Sequence, residues 1–407
     1  MDRQDTVKNL KRNSSQAVKH SPLDQIDLTQ ETKLNKPVKT IHKVVTPIKV
    51  EVLAPYLVNY HQASYLIKGF SYGFQLGYLG QRQFRMSSNM SSCKQFSDVI
   101  SHKIKAEVAA GRLKGPFSSP PFKNIQISPI GCIPKKSPGD FRLIHHLSYP
   151  PGSSINDGIM PELASVSYCS FDDAVNALLK LGRGALMSKT DIESAFRLIP
   201  VHPSDHELLG YKWQSQFYYD CCLPFGCRSS PAIFERFSTA IEWIAKKHLS
   251  IPDIIHILDD FFMIGPPASE RCLHYLTSFL TFCKKVGIPI KAEKTVYPTT
   301  CITFMGLELD SVKMEARLPP DKLSKARELL RKYCNKRKIR LRDLQSIIGY
   351  LSFCCNVVPP GRCFLRRLID KTRKVSHPAH RVTLNSESRR DLQAWQIFSI
   401  KVFHEKL

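Results

Sequence analysis

The stretch IIHILDDFFMI, residues 254–264, decides how the rest of the chain is read. Two apolar runs, Ile254 to Leu258 and Phe261 to Ile264, are broken by Asp259-Asp260 alone, which predicts a tight β-hairpin with two carboxylates at its tip. Strand propensity disfavours aspartates in such a setting. Half-buried side by side, they repel each other and carry a desolvation cost. A divalent cation would cancel both penalties. An ordinary Asp-favoured turn is the alternative for the pair taken alone.

Upstream, ALMSKTD reads as a short buried strand ending at Asp191, a third carboxylate at a strand end. Three such groups suit two hard metal ions about 4 Å apart, able to activate a 3′-hydroxyl and stabilise a leaving pyrophosphate. Between the carboxylates lies LPFGCRSSPAIFERF, residues 223–237, in which Pro224 and Gly226 predict a loop that lets backbone approach a flat ligand. A helix follows from Ser230 to about Lys247, with Ile233, Phe234, Phe237, Ala240, Ile241 and Ile244 at the helical period.

Further outward, helices are expected at Asp98 to Ala110, Phe171 to Leu181 and Ser269 to Val286, with a hairpin from Leu208–Trp213 and Gln216–Asp220. Strands are expected near Ile288–Lys291 and Thr303–Leu309. Gly69, Gly73 and Gly77 read as a strand or turn, since no GK[ST] follows to make a phosphate loop. After Pro319-Pro320 the pattern turns helical, with helices at Asp321–Lys332, Leu341–Val357 and Arg362–Lys371. The fold class is therefore α+β, a mixed domain followed by a small helical one.

The 407 residues suffice for about two or three domains. The 59 Lys and Arg against 35 Asp and Glu give a net charge of +24, which points to a polyanionic partner, most simply nucleic acid. Residues 321–381 hold 17 Lys and Arg against 4 Asp and Glu, a net +13 in the helical segment. No apolar run is long enough to span a bilayer and no secretory h-region opens the chain, so no membrane role and an intracellular setting, cytoplasm or nucleus, are expected. The 13 cysteines form no CxxC pair or Cys/His ligand cluster and read as free thiols, not zinc ligands. Residues 1–48, polar and Lys-rich, are expected to be disordered.

TDIESAF at 190–196, LPFG at 223–226, ILDD at 257–260 and FMGLELD at 304–310 resemble successive reverse-transcriptase motifs in the family's order, and IPKKSPGDFRLIHHLSYPPGSSIND resembles its fingers motif. GRLKGPF, SPIGCIPKK and VVPPGRCFLRRLID resemble more particularly the retrotransposons of the DIRS group, which integrate with a tyrosine recombinase. The resemblance covers about residues 47–395. It implies a right-hand polymerase fold with fingers, palm and helical thumb. The divisions would be an N-terminal extension and fingers at 49–170, palm at 171–318, thumb at 319–375 and a connection at 376–407.

The same resemblance implies roles. Asp191, Asp259 and Asp260 would bind two Mg²⁺ or Mn²⁺ ions. Arg142 would meet the nucleotide triphosphate, assisted by Lys135 or Lys136, which suits bidentate guanidinium–phosphate geometry. Phe196 would be the gate below the sugar that favours dNTPs; a plain core Phe is the alternative. Phe225 and Gly226 would line the nucleotide pocket, and Lys294 lies near the place of the family's proton-donating lysine. Arg366, Arg367 and Lys371 would contact the backbone of an RNA or DNA template with its primer. Ile257-Leu258 replaces the aromatic residue that usually opens the DD motif, and His146 stands where many relatives carry Asp. Related elements continue past SRRDLQAW into a ribonuclease H domain, so that activity is not expected here. The implied function is RNA-directed DNA polymerase of a retrotransposon; the alternative is a catalytically idle nucleic-acid-binding remnant.

Overall fold

The computed structural model describes residues 44–135, 139–373, 375–401 and 404–406; nearly all of the expected N-terminal segment lies outside them. The described chain falls into two compact units, one formed by residues 68–166 and 199–233, the other by 46–67, 167–198 and 234 onward.

The first unit is organised by a five-stranded sheet in the order Arg85–Met86, Gln126–Ile127, Gly210–Trp213, Gln216–Asp220, Leu113–Phe117. The hairpin Ile130–Pro134/Phe141–His145 and the helix Ser97–Ala109 accompany it. Ile100 and Ile104 of that helix pack with Leu113, Ile130, Tyr211, Trp213 and Tyr218, so the 3.6-residue period meets the alternating strand period in one core.

The second unit carries the site. Its central antiparallel sheet has the order Val296–Thr299, Leu186–Asp191, Asp260–Gly265, Ile254–Ile257. The helix Phe171–Leu181 begins in a reciprocal cap, where Ser170 Oγ accepts from the Asp173 amide and the Asp173 carboxylate accepts from the Ser170 amide. Phe171, Ala174 and Leu178 on its inner face join Met187, Phe262 and Ile264 of the sheet. The helix Arg271–Val286 ends at Gly287, whose φ of 85° provides the left-handed stop. A second sheet runs Cys301–Phe304, Leu307–Asp310, Glu315–Arg317, His404–Lys406, and Phe304 stacks on Phe262 at 4.6 Å. The helices Pro320–Tyr333, Leu341–Cys354, Arg366–Thr372 and Ser386–Lys401 complete the unit on the same continuous core.

The expected α+β mixture is what forms, with several local differences. Gly69 is helical, inside Ala63–Tyr72, and Gly73 (φ 95°) ends that helix. Residues 288–291 contribute only a bridge, Ile290 to Ile192, and the outer strand of the central sheet is Val296–Thr299 instead. Thr303–Leu309 is two strands joined at Met305-Gly306, both at positive φ. The helix expected from Arg362 to Lys371 divides into a 3₁₀ turn, Pro359–Phe364, and the helix Arg366–Thr372, because Pro359-Pro360 sets a tight first turn and Leu365 leaves ideal helical angles. The helix Ser386–Lys401 was not expected; it buries Leu392 and Trp395.

Candidate active site

Strand pairing assembles the three aspartates. Asp260, the first residue of the returning strand, pairs directly with Asp191, the last residue of its neighbour. The turn itself is Leu258-Asp259, with Leu258 at φ 51°. The Ile192 amide donates to the Asp259 carbonyl at 3.0 Å, and the Lys291 amide donates to the Asp191 carbonyl at 2.9 Å. Both backbone segments are thus tied at the point where the carboxylates emerge. Asp191 is buried, and Asp259 and Asp260 are half-buried.

The electrostatics are those of crowded acids. Burial, then the Asp191 charge, pushes Asp259 above the ordinary carboxylate range. Burial, then Asp191 and Asp259, pushes Asp260 up to about 6. Lys294 answers part of this excess, donating from Nζ to Asp191 Oδ2 at 2.6 Å. Its own partial burial would lower the ammonium's pKa, but the bond to Asp191 and the neighbouring charges outweigh that and hold it up. Among the described residues, no three His, Cys, Asp or Glu side chains are gathered about one point closely enough to hold an ion. The donor set nonetheless suits a hard divalent cation: of the ammonium groups near the three carboxylates, Lys294 bonds to Asp191 and Lys189 acts on Asp260 through its charge, yet Asp259 and Asp260 stay raised, and an ion would relieve that repulsion.

Phe196, in the 3₁₀ turn Ala195–Leu198, is half-buried and meets Phe234 edge-on at 5.5 Å. Arg142, Phe225 and Gly226 belong to the first unit. Arg142 is exposed on the strand Phe141–His145, with its guanidinium 5.8 Å from the centre of the Phe225 ring. Gly226 sits at φ 106°, where a Cβ would lie 2.8 Å from the His145 carbonyl oxygen. Sequence reasoning missed Asn156, which clamps this loop: Nδ2 donates to the Gly226 carbonyl and Oδ1 accepts from the Arg228 amide, each at 2.8 Å. Nothing in its type or spacing marked it. Lys135 forms an exposed ion pair with Asp140 at 3.4 Å, and Lys136 lies outside the described residues.

On the helix Arg366–Thr372, Leu368 is buried, as its apolar side requires. Arg366 pairs with Asp370 at 3.4 Å, and Lys371 is half-buried. Arg367 differs from expectation. Its guanidinium grips Asp391, a buried carboxylate of the last helix, through Nε at 2.7 Å and a second, 2.5 Å bond. A bidentate pair of this kind is a tie within the unit and not a group waiting for phosphate.

The fold is the right-hand polymerase architecture. The helical and sheet architecture matches foamy viral protease–reverse transcriptases, one solved with double-stranded DNA (TM-score 0.61, 18% identity, covering 90% of this chain and 62% of that one) and one with an RNA/DNA hybrid (0.62, 17%, 90% and 48%). Residues 133–309, under half of the chain, match the model of the reverse transcriptase (RNA-dependent DNA polymerase) family. The transposon Tf2-3 polyprotein of Schizosaccharomyces pombe is 22% identical over 67% of this chain, the Pro-Pol polyprotein of feline foamy virus 25% over 44%, and polyprotein P3 of Commelina yellow mottle virus 23% over 53%. The matched stretch spans 17%, 14% and 11% of those polyproteins, respectively. Among the described residues, no helix is long and apolar enough to cross a membrane.

Proposed function

We propose that this chain is an RNA-directed DNA polymerase that extends a primer on an RNA or DNA template with dNTPs. One observation carries the reading: the antiparallel register that sets Asp260 opposite Asp191, with Asp259 at the turn beside them. Asp191, Asp259 and Asp260 would hold two Mg²⁺ or Mn²⁺ ions, which would polarise the 3′-hydroxyl and stabilise the negative charge developing on the leaving pyrophosphate. Lys294, which donates to Asp191, is assigned the proton held at Nζ for the leaving group. Arg142 is assigned the triphosphate, assisted by Lys135 or Lys136, and Phe225 and Gly226 the nucleotide pocket. Phe196 is assigned the sugar gate. The cationic face of the helical segment, Arg366 and Lys371 included, is assigned the template–primer backbone. Within the polymerase hand we read fingers to 170, palm over 171–318, thumb over 319–375 and connection beyond. The three DIRS-like segments support an origin in a tyrosine-recombinase retroelement.

The test is primer extension on a poly(rA) template with Mg²⁺ or Mn²⁺, comparing the protein with Asp259→Asn. The variant should lose extension while binding template–primer as before. Extension at the wild-type rate would overturn the assignment.

A further inference from the structure

His256 is a charged group buried where a strand residue should be apolar. It lies on Ile254–Ile257, the edge of the central sheet, which among the described residues pairs with one strand only, Asp260–Gly265. Its ring stacks on Phe261, its cross-strand partner, at 5.4 Å. Two carboxylates of the helix Ser230–His248 meet it from the other direction. Glu235 and Glu242 are seven residues apart, two helical turns, and so share a face. Nδ1 of His256 lies 2.5 Å from Glu242 Oε2, and Nε2 lies 3.2 Å from Glu235 Oε1. The second contact is an ion pair without the alignment of a hydrogen bond, which leaves His256 Nε2 without a hydrogen-bond partner; Glu235 Oε2 is likewise buried and unpartnered. Lys246 backs Glu242 from the next turn, and Cys169 Sγ donates to the His256 carbonyl at 2.8 Å. Burial alone would lower the imidazolium's pKa, but Glu235 and Glu242 outweigh it and hold the value up at about 9.

An edge strand lacks the second row of ladder hydrogen bonds that fixes an inner strand. Here a buried charge cluster takes that place: it anchors the strand to a helix through side chains three residues before Asp259. We propose that His256, gripped by Glu242 and Glu235, is a positioning residue for nucleotidyl transfer, holding the edge strand so that the Leu258-Asp259 turn presents Asp259 beside Asp191 and Asp260. This rests on the polymerase reading given above. The clamp touches neither nucleotide nor template, so loosening it should lower kcat and leave binding alone.

Glu242→Gln is the informative variant, because it weakens the grip without leaving an unpaired buried acid; His256→Gln is its companion. In either folded variant, kcat for primer extension should fall about fivefold or more, as sub-ångström misplacement at reacting groups produces. KM for dNTP and Kd for template–primer should stay within about twofold of wild type, since uniform binding is untouched. The alkaline limb of the wild-type kcat profile should sit near the imidazolium pKa, and in Glu242→Gln it should move about one unit or more toward neutrality, because one opposing charge is gone. Amide hydrogen exchange on the full chain supplies a readout that needs no activity: exchange in 254–264 should quicken in Glu242→Gln. Wild-type kcat, an unmoved alkaline limb or unchanged exchange in a folded variant would overturn the proposal. If the wild-type protein makes no product, the polymerase reading fails by itself, and the exchange measurement still decides whether the clamp holds the hairpin.

Discussion

Replacing Gly226 with Ala tests, through its backbone, the loop assigned to the nucleotide pocket. The residue sits at φ 106°, and an added Cβ would approach the His145 carbonyl oxygen to 2.8 Å. The left-handed conformation costs a non-glycine residue about 1–2 kcal/mol. The contact adds to this, because the atom it meets is main chain in the paired strand Phe141–His145 and cannot rotate away as a side chain would. Strain of that kind costs on the order of 1–3 kcal/mol more. Gly152→Ala isolates the first effect: its φ is 78° and nothing lies within 4 Å of the Cβ position. Urea unfolding should therefore show Gly152→Ala destabilised by about 1–2 kcal/mol and Gly226→Ala by about 2–4 kcal/mol. The loop can escape the clash only by pulling away from Asn156, so KM for dNTP should rise several-fold in Gly226→Ala and stay unchanged in Gly152→Ala. Equal destabilisation in the two variants would refute the contact argument. An unaltered KM in a destabilised Gly226→Ala would refute the loop's place in nucleotide binding.

Phe196→Ala should raise rNTP incorporation relative to dNTP, read by competitive single-nucleotide extension; an unchanged ratio would leave Phe196 as packing against Phe234 alone. Arg366→Ala with Lys371→Ala should weaken template–primer binding equally for unrelated sequences and flatten the log Kd–log salt slope by about 0.7–0.9 per lost contact, while an unchanged slope would place the phosphate contacts elsewhere. Arg367→Ala should instead lower Tm more than Arg366→Ala does, because it strands the buried Asp391; equal Tm values would contradict this. For Asp260, the folded pKa of about 6 lies above the ordinary 3.8, so the native state holds the extra proton between these values and stability is lost as pH rises through that window. Asp260→Asn should therefore raise Tm at pH 8 in EDTA and give no gain near pH 4, and a lower Tm than wild type at pH 8 would sink the repulsion argument.

The hairpin at 254–264 was legible because two aspartates interrupting apolar strands have few explanations, and Asp191 because its strand ends on it. Periodic helices such as Phe171–Leu181 were equally readable, since they carry their own caps and a single buried face. What escaped depends on contacts between distant segments. Val296–Thr299 has burial on neither face strong enough to mark it, and becomes a strand by lying against Leu186–Asp191. Asn156 reads as a loop residue until the loop at Gly226 is seen to hang from it. Arg367 carried the right charge for phosphate, but its partner is 24 residues away on a helix that composition did not reveal. His256 was hidden for the opposite reason: one polar residue in an apolar run reads as tolerated, and only the facing helix shows two acids waiting for it.

The order of the central sheet also dictates when it can form during synthesis. Leu186–Asp191 is an inner strand whose two neighbours, Asp260–Gly265 and Val296–Thr299, are made roughly 70 and 105 residues later. Loop-closure entropy for pairings at such separation must be met before any contact rewards it. A ribosome-bound chain that has just released Asp191 thus holds a strand with both edges bare, and it stays so while the following segments are translated. The three aspartates become neighbours only after the hairpin has emerged, so chaperone capture of the nascent chain should be densest between those two points.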